Sequence, residues 1–438
     1  MATRSTPLLT ALRGYRTEEF GAGLPFQSLL TFLGCLIPVA LCLYLMDIKP
    51  LFQIGDVEFT QPDLVLVVIV MLVIGRAIFR GFHPLPRIFV LPVSLYLLST
   101  IVSGLNASDS LRAAAAVIQV LEFSSLAWCF MLVTSPKYFL RIIHAIFGIF
   151  IFETLLAISQ FIAGDPAPRA TFLQHQEFAM YTSYAAAMAF ALLMNQDQPG
   201  KRWYYGVILF VLLVGSLLGQ ERAPWLGFVF SGLAVAYYSG QKRKRLLRAF
   251  AITVLGAIML IASVPQLREV TLNRLAEAGS DSEQSNSLLS RLALWGVAFQ
   301  FFVAHPVLGV GPKNYTSLIP HYLSVDEMMG SDKLDPHNVW IQTLAEQGII
   351  GFVTYLVFCV AVLKLAVRGL RQQLPPAIHG LWAAALAYHV FWMTMSYHYF
   401  AKSAGHTHFM IIGLMLGSST MFRPKPDGQT SPSVPRSN

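Results

Sequence analysis

Charge is what this sequence has least of. Only 12% of its 438 residues are Asp, Glu, Lys or Arg, while 55% are hydrophobic. A soluble domain carries about 25% charged residues. A deficit over the whole chain excludes soluble packing as its cause, whereas a lipid solvent penalises charge along each helix. Cysteine is scarce too. Cys35, Cys42, Cys129 and Cys359 all fall in apolar runs, which excludes a disulfide framework in an exposed loop and leaves the redox compartment unread. No Asp-x-Asp occurs; the nearest spacing is Asp281-Ser282-Glu283, in a polar stretch. His406-Thr407-His408 lacks a third metal ligand, and Gly309-Val310-Gly311-Pro312-Lys313 is neither a dinucleotide fingerprint nor preceded by a strand. It reads as a turn between two short helices. There is no internal repeat. Residues 1–20 hold Arg4, Arg13 and Arg16 but no apolar run, so no cleaved signal peptide is expected and the first span acts as an uncleaved anchor.

Long apolar runs are what the chain has instead. A transmembrane helix needs about 20 mainly apolar residues. About twelve candidates lie near 26–46, 63–80, 88–104, 113–133, 142–163, 177–195, 203–219, 223–239, 248–264, 349–367, 377–395 and 406–422. The fold class expected is therefore an all-α integral membrane protein. Basic residues orient it, because short cytoplasmic loops hold an excess of Lys and Arg. With the N-terminus inside, 21 of the 31 basic residues fall in inner segments, among them Lys201, Arg202 and the run Lys242-Arg243-Lys244-Arg245. The net charge of +8 is thus read as topology anchors at a lipid surface rather than a nucleic-acid patch. Both termini are expected in the cytoplasm.

Residues 287–304 (SLLSRLALWGVAFQFFVA) are apolar enough to span. A crossing there would put Lys364, Arg368 and Arg371 outside, so the segment is expected to be an amphipathic helix at the outer interface. The domain reading follows: spans one to nine in 1–264, a long periplasmic helical loop over 265–348, spans ten to twelve in 349–422, and a Pro/Ser-rich, disordered cytoplasmic tail over 423–438. The loop starts polar (EAGSDSEQSNS) and then contains Trp295, Phe299, Phe301, Phe302, Tyr315, Tyr322 and Trp340, a density that suggests an ordered cap.

The expected outer face concentrates a few residues able to do chemistry. Arg169 lies in PAPRATFLQHQEFAMY, Arg222 in the tight turn GQERAPWLG, and Arg291 one helical turn before Trp295. His337 and Asn338 lie in LDPHNVWIQTLAEQGIIG. Arg222 is the sharpest: a charge at a membrane boundary is expensive unless paired or solvated, and Pro224 suits the first turn of the next helix, whose amides favour an anion. Snorkelling to headgroups or pairing with Glu221 is the alternative. Three guanidiniums on one face are what a diphosphate needs, since arginine grips phosphate oxygens with a planar fork. Histidine is the usual general base, with His305 and His321 competing with His337, and His175, His398, His406 and His408 also on the outer side. Glu122 and Glu153 fall inside spans; they suit either a proton path, as in a transporter, or a satisfied structural contact.

The stretch from Arg291 to Gly351, with SRLALWGVAFQFF, HPVLGVGPKNY and PHNVWIQTLAEQGIIGF, resembles the O-antigen ligase and polymerase superfamily. The turn GQERAPWLG is similar to that family's Ser/Gln-x-Arg-Ala-x-Leu-Gly turn, with Glu221 a departure. RATFLQHQEFAMY is similar to its R-x-G-T-F-x-H-x-N-x-x-A element, with Ala170 and Glu177 in place of glycine and asparagine. The resemblance implies a multi-pass glycosyltransferase of the bacterial inner membrane with a periplasmic active site. Its donor would be a glycan on undecaprenyl diphosphate, and its acceptor lipid A-core for a ligase or a lipid-linked repeat unit for a polymerase. It implies no metal or nucleotide cofactor. His337, Arg222 and Arg291 would be catalytic, and Arg169, Arg222, Arg291 and Asn338 would bind diphosphate and glycan. A polytopic transporter or lipid-glycan flippase, and a non-catalytic scaffold, are the competing classes. Ligase and polymerase are not separated by these motifs.

Overall fold

The computed structural model describes residues 87–133, 136–165, 167–172, 175–196, 198–238, 243–265, 268–269, 272, 283–322, 336, 338–371, 374–395 and 402–421, with short pieces at 15–16, 52–54, 57–59, 67, 70–71 and 423–424. The described chain is helical: α1 (Arg87–Gly104), α2 (Ser110–Val133), α3 (Pro136–Ile162), α4 (His175–Met194), α5 (Pro199–Leu218), α6 (Arg222–Tyr238), α7 (Arg243–Ser263), α8 (Glu283–Ala304), the single turn α9 (Tyr315–Leu318), α10 (Val339–Arg371), α11 (Pro376–Met395) and α12 (Lys402–Met421). The only strands described are two short antiparallel pairings, Tyr15–Arg16 with Arg423–Pro424 and Phe52–Ile54 with Val57–Phe59.

Six of these helices are long and apolar enough to cross a membrane: α1, α2, α3, α4, α5 and α10. The ranges expected for spans three to twelve are each occupied by a helix. The expected span 26–46 lies outside the described residues, as does 63–80 apart from Val67, Val70 and Met71. Large apolar side chains face outward along the helices, such as Trp203, Val207 and Phe210 on α5 and Ile252, Leu255 and Met259 on α7. Soluble monomers rarely expose such continuous apolar area.

The centre of the bundle is α4, buried along nearly all its length from Phe178 to Leu192. Small residues make that possible, since they let helix backbones approach closely. Ala179 packs where a Cβ on Gly219 would fall, and Thr154 fills the space beside Gly215. Ser183 and Ser216 share a hydrogen bond of 2.5 Å between α4 and α5. On a neighbouring face of α4 the rings of Tyr184 and Tyr388 stack with centroids 4.5 Å apart, and the Tyr388 hydroxyl donates to the Met180 carbonyl at 2.8 Å. Ser231 of α6 donates to the Ala384 carbonyl of α11 at 3.2 Å.

A second, smaller core lies under the segment between α8 and α10. Leu294, Val297, Ala298 and Phe301 of α8 meet Val310, Tyr315, Ile319 and Ala345. Here α10 is broken. Gly348 has φ +62° and ψ −163°, dividing the helix into 339–347 and 349–371. The second piece coincides with the expected tenth span at 349–367. The turn 305–314 packs into the break, as expected for a connection between two helices. Val310 and Gly311 donate to the Ala345 and Glu346 carbonyls (3.1 and 2.8 Å), while Ile349 donates to the Pro306 carbonyl at 2.9 Å. Gly309 and Gly311 also have positive φ. A Cβ on Gly309 would lie 2.3 Å from the Glu346 carbonyl carbon, and one on Gly348 would lie 2.4 Å from that of Val307.

Polar side chains lock this joint. Glu346, 1% exposed, accepts from the Lys313 and Tyr315 amides (2.9 and 3.3 Å) and from Gln342 Nε2 (3.1 Å). Ser103 of α1 donates to the carbonyls of Leu308 and Glu346 (2.6 and 2.9 Å). Asn106 Nδ2 donates to the Gly309 carbonyl at 2.6 Å, and buried Asn314 accepts from Ser108 Oγ and the Asp109 amide (2.9 and 2.8 Å). The α1–α2 connection and the 305–315 segment therefore meet at one end of the bundle.

Candidate active site

Three of the expected site residues project from that architecture as exposed guanidiniums: Arg169 between α3 and α4, Arg222 as the first residue of α6, and Arg291 on α8. Neither Arg222 nor Arg291 has a hydrogen-bond or ion-pair partner among the described residues. The loops that carry them are held tightly.

Arg169 opens a tight turn, its carbonyl accepting from the Phe172 amide at 2.9 Å. Ala170 sits in the left-handed region with φ +54°. That conformation costs a residue with a Cβ roughly 1–2 kcal/mol, and the resemblance places glycine there. Two side chains of α3 support the turn. Gln160 donates from Nε2 to the Ala170 carbonyl and accepts at Oε1 from the Ala170 amide, both at 2.8 Å. Glu153, 0% exposed, accepts from the Thr171 amide at 3.1 Å and from its hydroxyl at 2.8 Å. Phe172 closes the loop on the core, its ring 5.7 and 5.6 Å from those of Phe178 and Tyr181. Of the two readings for an intramembrane Glu153, the structure therefore shows a satisfied contact. Glu122 lies part-buried on α2.

Arg222 stands on a turn of the same kind. The Gly219 amide donates back to the Gly215 carbonyl at 3.1 Å, and Gln220, buried, has φ +55°. Trp225 Nε1 donates to the Ser216 carbonyl at 3.0 Å, fastening the start of α6 to the end of α5. Pro224 occupies the first turn of α6, as expected. Glu221, the suggested partner of Arg222, instead pairs with His175 Nε2 at 3.4 Å. This pair ties the start of α4, just after the Arg169 loop, to the Arg222 turn.

Arg291 is joined to the His337 segment through its neighbour one turn on. Trp295 Nε1 donates to the Pro336 carbonyl at 2.7 Å. On the other side of His337, Asn338 Oδ1 accepts from the Trp340 and Ile341 amides (3.0 and 3.2 Å) and so caps α10. His337 itself lies outside the described residues, but both its chain neighbours are fixed. The cap uses only the oxygen of the Asn338 amide. Of the competing histidines, His305 contacts Asn106 Nδ2 at 3.3 Å, His321 is exposed after α9, and His175 is engaged by Glu221. His398 and the side chains of His406 and His408 lie outside the described residues. Among the described residues, no three His, Cys, Asp or Glu side chains cluster as a metal site.

Gln160 and Glu346 were not singled out from the sequence, and neither the Trp295 tether nor the pairing of His175 with Glu221 was anticipated. For Gln160 a signal exists. It lies seven residues after Glu153, two turns along one face of an otherwise apolar helix that ends just before the Arg169 loop. The others act on backbone carbonyls, amides or each other, which residue types alone do not reveal.

The O-antigen ligase family model matches residues 207–356. That match supports the O-antigen ligase superfamily. No curated protein matches the chain. The matched segment contains Arg222, Arg291, Trp295, the 305–314 turn, His337, Asn338 and the break at Gly348, and stops short of Arg169 and its supports. The superfamily implies ligase-like glycosyl transfer by a glycosyltransferase-type enzyme acting on a lipid-linked glycan and an acceptor, and the apolar helices agree with a membrane protein.

Proposed function

We propose that the chain transfers a glycan from undecaprenyl diphosphate to an acceptor hydroxyl, on lipid A-core or on a growing polysaccharide, at the periplasmic face of the bacterial inner membrane. The observation that carries this reading is the tether from Trp295 to the Pro336 carbonyl. It sets the helix of Arg291 beside the segment of His337, while Arg222 stands outward on a braced turn. In the reaction the bond from the sugar C1 to the diphosphate oxygen breaks, and a bond from C1 to the acceptor oxygen forms. The leaving diphosphate gains negative charge, which Arg222 and Arg291, joined by Arg169, stabilise where it develops. His337 takes the acceptor proton, and the Asn338 amide contributes to glycan binding. The donor is already activated, so the step needs no nucleotide, and no metal is invoked.

The domain division belongs to this reading. The 265–348 segment forms a periplasmic cap over a membrane region of about twelve spans, and both termini face the cytoplasm. The pairing of Tyr15–Arg16 with Arg423–Pro424 supports the shared side of the termini. Glu153 engaged by Thr171 disfavours a proton path and with it the transporter alternative.

The test is reconstitution of purified protein with an undecaprenyl-diphosphate glycan, with and without lipid A-core, in the absence of metal and nucleotide. Glycan on lipid A-core alone identifies a ligase. A ladder of longer lipid-linked glycans without that acceptor identifies a polymerase. Movement of the lipid glycan across the bilayer with no new glycosidic bond would sink the transferase reading in favour of a flippase.

A further inference from the structure

The mechanism above makes no use of two polar side chains that α3 places behind the Arg169 loop, buried Glu153 and half-buried Gln160. Gln160 meets both the amide and the carbonyl of one residue, Ala170, as a paired strand would, at 2.8 Å each. Seven residues earlier on the same face, Glu153 meets both the amide and the hydroxyl of Thr171. All their partners are neutral, so the arrangement fixes backbone shape rather than balancing a charge. What it fixes is unfavourable on its own: Ala170 carries a Cβ at φ +54°, and such conformations persist only when the surroundings over-determine them. The residue just before this point is the exposed Arg169, which begins the turn.

We propose that Gln160, seconded by Glu153, is a positioning residue that holds Ala170 left-handed so that Arg169 is presented to the diphosphate of the lipid donor. This rests on the functional reading above. It predicts a specific coupling. Without Gln160, Ala170 relaxes and Arg169 swings away; glycine at 170 pays nothing for positive φ and restores the turn without the clamp.

The experiment measures the Kd for undecaprenyl diphosphate in nanodiscs for wild type, Arg169→Ala, Gln160→Ala, Ala170→Gly and the double variant Gln160→Ala/Ala170→Gly, each checked for an unchanged thermal melt. Arg169→Ala and Gln160→Ala are each expected to weaken binding about ten-fold, the size of one or two lost charge-assisted contacts. Ala170→Gly stays near wild type, and the double variant regains most of the loss. Should Gln160→Ala not fold, the near-isosteric Gln160→Met substitutes for it: it fills the same space, removes both hydrogen bonds to Ala170, and gives the same loss. The proposal is overturned if Arg169→Ala weakens binding while both Gln160 variants bind as wild type. A double variant as weak as Gln160→Ala overturns it as well. Wild-type affinity in Arg169→Ala removes Arg169 from the site and the clamp's role with it. No binding by the wild type overturns the functional reading itself.

Discussion

Arg222 and Arg291 each present a full charge from a backbone that cannot easily follow it. Arg222 sits one residue past an ion pair and three before an anchored indole; Arg291 sits one turn before another. Preorganised donors aimed at developing charge are worth about 10²–10³ in rate when one is removed. Arg222→Ala and Arg291→Ala are accordingly expected to lower kcat for glycan transfer by that factor with little change in folding, as read from single-turnover transfer and a melting curve. Arg222→Lys is expected to recover only a small part of the rate, because an ammonium lacks the planar fork. Trp295→Phe keeps the ring and deletes the N–H that holds the Pro336 carbonyl. A loss of about ten-fold in kcat/KM is expected, the measure of one unsatisfied buried carbonyl and a loosened His337 segment. The three proposed arginines stand out in the sequence because charge is rare in so apolar a chain, and His337–Asn338 through the family resemblance. Their supports do not. Trp295 reads as one more interfacial aromatic, and Glu221 reads as a partner for Arg222 until the fold brings His175 to it.

At the scale of elements, hydropathy located the ten helices that occupy the ranges expected for spans three to twelve to within a few residues, six of them long and apolar enough to cross a membrane. It could not see how far α10 extends ahead of its apolar run. The 339–347 piece of α10 is rich in buried polar groups, Gln342, Glu346 and Gln347. Their partners come from α1, from the 305–315 segment and from within α10 itself, so the pattern resembles no membrane stripe. The glycines of GVG and EQG had a reason invisible to composition: two backbones cross there too closely for any Cβ. Gly348→Ala is therefore expected to destabilise the protein by about 2–4 kcal/mol, combining positive φ with a steric clash, measured as a drop in melting temperature in detergent. The opposite result is expected at Glu153. Among the described residues its oxygens accept only from Thr171, and a glutamine still offers one acceptor there, so Glu153→Gln should keep transfer within about three-fold of wild type, the cost of under one hydrogen bond. Abolished activity would revive a proton-handling role.

At the scale of the whole molecule, the basic connections and the site-bearing connections alternate along the chain. With the four native cysteines replaced, a single cysteine at Ser108 should react with a membrane-impermeant maleimide from the outside of spheroplasts. One at Lys244 should react only after permeabilisation; the reverse pattern would invert the orientation and move the arginines to the wrong side for a periplasmic acceptor. The broken helix also bears on biogenesis. Synthesis runs from the N-terminus, and domains assemble as their parts emerge. The 306–311 turn leaves the ribosome 35 to 43 residues before the helix ends it pairs with at 345–350. Until Ala345, Glu346 and Ile349 arrive, the Val310 and Gly311 amides and the Pro306 carbonyl lack the partners they have in the folded chain, and buried backbone groups tolerate no vacancy. The 305–315 segment therefore cannot complete its fold until the second piece of α10 has begun to form. A nascent chain stalled before Gly348 should carry Arg291 in a protease-sensitive segment, which becomes resistant once that helix is laid down.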